Sequence, residues 1–307
     1  MTFRSRIFWC FVLAFVGFSA WARAQNTAAA GSTGAAQQAG ANGTAATKGA
    51  AGGSSAPMAR PHLAKQPPPP PPALADLQKL QYLMQQPTAT PQQVKQAVQG
   101  YCDKYPTSVY RESAYTLAMR FAQARRDYPD MLAFGDGALR VNPNSLVPLL
   151  TLGSVIPQQV HATDLNRDQQ LSVAAGYNQR ALAIARHFPT VYNGHQLSPQ
   201  AVAQIQKEIR GSAHSSLGVI AIDRGHYAAA IQQLQQAVAN DNAQSKPADY
   251  YRMGLAQIAL KQYPAALASM HQALTLGANI PELQTLGKAQ VQRIHHLEAG
   301  TKGTPQG

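Results

Sequence analysis

The chain has 307 residues, with 26 Lys and Arg against 14 Asp and Glu, for a formal charge of +12. Its basic residues form no dense cluster and do not interleave with aromatics along one helix face, which excludes the electrostatic footprint of a nucleic-acid binder. Two cysteines, Cys10 and Cys102, are too few for a disulfide framework.

Residues 1–24 read as a secretory signal. Arg4 and Arg6 give a basic start, Ile7 to Ala22 an apolar run, and Ala22-Arg23-Ala24 a small-residue cleavage site. Cleavage at about Ala24 predicts a periplasmic or secreted protein; an uncleaved segment would leave it anchored in the inner membrane. Cleavage removes Arg4, Arg6 and Arg23, so the remaining chain carries +9 and one cysteine, Cys102, expected as a small buried hydrophobe. Residues 25–72 are low in complexity, rich in Ala, Gly, Ser, Thr and Gln, and end in six prolines, Pro67 to Pro72. They lack the branched and aromatic residues that offset ordering entropy. A disordered linker with a stiff polyproline II spacer is expected.

Helix signals then recur along residues 73–299. Leu74, Leu77, Leu80 and Leu83-Met84 fall on one face, up to Pro87. Thr90-Pro91 caps and opens the next helix, lined by Val94, Ala97-Val98 and Tyr101 and stopped at Pro106. Helices are predicted from Ser108 to Arg125, from Pro129 to Val141, and from Ser145 to Ile156, the last ended by Pro157. Asp168 is expected to cap a helix running to about His187, and Phe188 to Leu197 reads as a loop. Ser198-Pro199 opens a long helix to about Arg224. Gly225 breaks it, and His226 to Asn240 returns. Lys246 to Lys261, the stretch from Pro264 to Gly277, and Pro281 to Ala299 complete about eleven helices; residues 300–307 form a tail expected to be disordered. No alternating run is long enough to predict a strand. The fold class is all-α.

Two stretches repeat 36 residues apart. Leu217-Gly218, Tyr227, Ala230, Leu234 and Ala237 recur as Met253-Gly254, Tyr263, Ala266, Met270 and Ala273. Each unit is a helical hairpin that cannot bury its apolar face alone, so units must stack. The glycines let paired helices approach, and the alanines are small where the next helix packs. The spacing resembles the tetratricopeptide repeat (TPR) family, with Tyr250 and His214 at the position the family fills with Trp or Tyr. Weaker units match at Tyr115, Tyr128, Ala138 and Pro143, and at Leu149, Leu152-Gly153, Ala174, Ala181 and Leu182, the latter with an insertion around His161 to Asp168. Lys104-Tyr105-Pro106-Thr107-Ser108 resembles the inter-repeat turn of bacterial envelope TPR proteins such as outer-membrane assembly lipoproteins and Tol–Pal accessory proteins. The resemblance implies an α-solenoid of about five hairpins plus a C-terminal capping helix.

By family register, the groove wall in the last two units would include Ser215, Val219, Ile222, Tyr251, Leu255 and Ile258. It lacks the Lys, Asn and Arg set with which some TPR domains grip a terminal carboxylate, and suits an amphipathic helix or an extended apolar segment. Packing of these residues against the final helix is the competing expectation. The resemblance implies a non-catalytic scaffold or adaptor that binds an envelope protein or peptide segment. An alternative is an envelope-associated structural protein whose basic surface contacts peptidoglycan or anionic lipid.

Other motifs are poor. Asp164-Leu165-Asn166-Arg167-Asp168 resembles the start of a calcium loop, but Gln169 stands where Gly is needed and Ala175 where a Glu should close the site. The nine histidines show no zinc spacing, and no Gly-rich phosphate loop follows a strand. No metal, cofactor or catalytic residue is expected.

Overall fold

The computed structural model describes residues 71–192, 195–240 and 246–302. The expected signal and nearly all of the linker lie outside the described residues, as do residues 303–307 of the tail. Among the described residues eleven helices follow in order: α1 Pro72–Gln85, α2 Pro91–Lys104, α3 Arg111–Arg125, α4 Tyr128–Val141, α5 Leu146–Gln159, α6 Arg167–Arg186, α7 Pro199–Asp223, α8 Tyr227–Asn240, α9 Lys246–Ala259, α10 Tyr263–Leu276 and α11 Pro281–Lys302.

Local signals set several boundaries. Thr90 and Gln93 exchange hydrogen bonds in a capping box at the start of α2. Asp127 and Ser198 accept from backbone N–H groups at the starts of α4 and α7. Three intra-hairpin turns are built alike. Arg126, Gly225 and Lys261 each stand two residues before a helix-opening Tyr and adopt positive φ, at 58°, 75° and 58°. In each, the next N–H reaches back five residues: Asp127 to Ala122, His226 to Ala221 and Gln262 to Gln257, at 3.0, 2.8 and 2.9 Å. This is the Schellman ending, which favours glycine at the left-handed residue. Lys261→Gly is therefore expected to raise stability by about 1 kcal/mol in a denaturant titration, with no change in slope.

Neighbouring helices pair as α3/α4, α5/α6, α7/α8 and α9/α10, and these hairpins stack in chain order. The odd-numbered helices also touch one another in succession, α1 to α3 and on to α11, so they form a continuous layer. The even-numbered helices form the other layer. Buried clusters run along the stack between the layers.

The repeat positions explain why each hairpin closes. A methyl group on Gly218 would fall 2.7 Å from Leu234 Cγ, and one on Gly254 2.7 Å from Met270 Cε. Ala230, Ala237, Ala266 and Ala273 are fully buried. The two glycines predict unequal effects. Leu234 is branched close to its backbone, whereas the Met270 methyl is the end of a flexible chain. Gly218→Ala should cost about 1–2 kcal/mol in thermal unfolding, and Gly254→Ala close to nothing, because the gain in helix propensity offsets a small shift.

The earlier hairpins use the same register with different residues. In α3/α4, fully buried Met119 stands at the glycine offset and Gly135 at the large one, so small and large are exchanged. In α5/α6, Leu171, Ala174, Asn178 and Ala181 take the offsets of Tyr227, Ala230, Leu234 and Ala237, and all four are fully buried. In α1/α2, Tyr82 holds the glycine offset and is 66% exposed, so this hairpin packs least closely. Asp76 ties its two helices together, accepting from Lys104 Nζ at 2.7 Å, Tyr105 Oη at 2.7 Å and Lys79 Nζ at 2.8 Å. Those donors, Lys104 first, hold the Asp76 carboxyl well below the usual carboxylate range.

Four expectations are corrected. Pro157 does not end α5, which continues to Gln159. Proline lacks the N–H that would reach the Gly153 carbonyl, and Asn178 Nδ2 donates to that carbonyl instead, at 3.0 Å. Asp168 does not cap α6: Asn166 occupies the cap, and Asp168 lies in the first turn, where its charge faces the positive end of the helix. The 188–197 loop contains a short antiparallel pair, β1 Val191–Tyr192 with β2 His195–Gln196. The final helix also runs three residues beyond Ala299, to Lys302.

Candidate functional site

The odd-helix layer carries the predicted wall. Ser215 and Ile222 on α7 and Leu255 on α9 are half-buried. Val219, at 7% exposed, Ile258, at 8%, and Tyr251, at 2%, lie deeper. Tyr251, Leu255 and Ile258 belong to the cluster that α11 completes through Leu283, Leu286, Val291, Ile294 and Leu297. The last hairpin is thus packed against α11, and the wall reaches solvent at Ser215, Ile222 and Leu255. Burial pushes the Tyr251 phenol upward, against a smaller opposing pull from Arg293 on α11.

Polar groups fix the spacing of this wall. Asp249 on α9 is fully buried and accepts from Ser215 Oγ at 2.6 Å and from Arg252 at 2.8 Å. The bond from Ser215 joins α7 to α9, and Arg252 supplies the charge that a buried carboxylate needs. On the layer behind it, His214 Nδ1 meets Gln233 Oε1 at 2.8 Å, joining α7 to α8. His214 thereby makes a polar tie at the repeat position that Tyr250 fills in the next hairpin.

Earlier along the same layer, Glu112 on α3 accepts from Ser145 Oγ at 2.6 Å and Thr116 Oγ1 at 2.9 Å. Near it lie Arg120 of α3 and Tyr192 of β1. Burial lowers the Arg120 pKa, against the pull of Glu112. Burial pushes Tyr192 up to about 12, with Glu112 adding to the rise and Arg120 opposing it. The Tyr192 and Phe188 rings meet at a 38° tilt, with centroids 5.1 Å apart. Both pack on a cluster that includes Leu146, Leu149 and Leu150 of α5 and Ile209 and Ala213 of α7. Sequence reasoning missed Glu112, Arg120, Phe188 and Tyr192. Two aromatics four residues apart in a segment read as a loop were the available signal.

The calcium-like segment is used internally. Asp164 Oδ2 accepts from the His161 N–H at 2.7 Å. Arg167 donates to the Asp223 carbonyl, and Arg224 to Ser172 Oγ at 2.7 Å, which fastens the insertion to the end of α7. Among the described residues, no group of three or more His, Cys, Asp or Glu side chains is placed to hold a metal ion. Also among them, no helix is long and apolar enough to cross a membrane. Cys102 is buried in the cluster that runs from α1 to α5.

The fold is a TPR-like stack of helical hairpins. No family model matches the chain, and no curated protein matches it. Among solved structures it is similar to one described as the crystal structure of the APC/C hetero-tetramer Cut9-Hcn1, at 15% identity and a TM-score of 0.34. The match covers 72% of this chain and 42% of that chain, so the chain spans less than half the length of that neighbour. The fold assignment rests on the helix pairing described above and not on this likeness.

Proposed function

We propose that the protein is a non-catalytic, exported TPR-type adaptor that holds a segment of an envelope protein against its odd-helix wall. The observation that carries this reading is the wall of α7 and α9. Ile222 on α7 and Leu255 on α9 are apolar and half-buried on this layer, and the Ser215–Asp249 bond joins the two helices. Such a surface suits the apolar face of an amphipathic helix or an extended apolar segment. The signal-like first 24 residues and the proline-rich linker support an exported location, with the helical stack held away from the N-terminal end.

The test is capture from an envelope extract by the signal-free protein, comparing wild type with Ile222→Arg plus Leu255→Arg. Both positions are half-buried, whereas Ile258 is buried and an arginine there would disturb the core. The expected result is a specific protein held by wild type at moderate salt and lost by a variant whose circular dichroism is unchanged. Equal capture by both proteins, or capture of polymer alone that salt washes off, would replace this reading with contact through the basic surface.

A further inference from the structure

We draw no further inference here: the strongest candidate, the Ser215–Asp249–Arg252 cluster on the α7–α9 wall, belongs to the site already described, and nothing in the structure shows what covers it.

Discussion

Asn178→Leu is expected to lower stability by about 2 kcal/mol, and the loss should shrink by about half when Pro157 is replaced by alanine. Asn178 is fully buried, and its Nδ2 donates to the carbonyls of Gly153 and Ala174, both at 3.0 Å. The Gly153 carbonyl is the acceptor that residue 157 would satisfy in an uninterrupted helix, and proline has no N–H to give it. Removing the Asn178 amide therefore leaves a buried carbonyl without a donor. Its Oδ1 has no hydrogen-bond partner, so leucine sacrifices only the donated bonds. With alanine at 157 the backbone supplies the missing N–H, and the same substitution orphans nothing at Gly153. Denaturant titrations of wild type, the two single variants and the double variant measure this coupling. A purely additive result would mean that Asn178 acts through packing alone. Gly153 belongs to the same arrangement, because a methyl group there would fall 2.5 Å from Asn178 Nδ2.

Ile294→Asp in α11 should cost more, at least about 3 kcal/mol, and its effect should spread into the preceding hairpin. Ile294 and Leu283 are both fully buried against α9 and α10. A carboxylate at 294 would be buried among apolar side chains, and releasing α11 bares Tyr251 and Ile258. The last hairpin would then present an open apolar end, which a stacked-repeat protein tolerates poorly. Expected signs are dye binding to exposed apolar surface, faster amide exchange along α9 and concentration-dependent association. Loss of α11 helicity alone, with α9 and α10 still protected, would show that the final helix is an appendage. Ile294→Ala should give the same pattern at about 2–4 kcal/mol, as a cavity without a charge.

These effects bear on how far the sequence could be read. The last two hairpins were legible because each packing position carries its own chemistry: glycine at the close approach, alanine at the contacts and tyrosine at the start of the second helix. The α3/α4 hairpin hid the same register by exchanging sizes, Met119 for glycine and Gly135 for the large residue, which keeps the volume and loses the motif. The α5/α6 hairpin hid it by insertion and by Asn178, a polar residue chosen by a proline one helix earlier. Pro157 read as a stop because the donor that rescues its helix is 21 residues away in sequence. Register places the six wall positions on α7 and α9 but does not decide their exposure. Tyr251 and Ile258 share a face with Leu255, and only the placement of α11 decides which of them is covered. The short ladder at Phe188 to Gln196 has no alternating pattern to mark it in the sequence, and the burial of Phe188 depends on helices on both sides of it in the chain.

The central claim is that the wall at Ile222 and Leu255 holds a protein segment. Its most direct test places a photo-crosslinking amino acid at Leu255, or at exposed Gln236 on the opposite layer, in the protein expressed with its own first 24 residues. The account predicts a discrete protein adduct from position 255, absent from position 236 and lost when Ile222→Arg is added. No adduct from 255, or the same adducts from both positions, would contradict it.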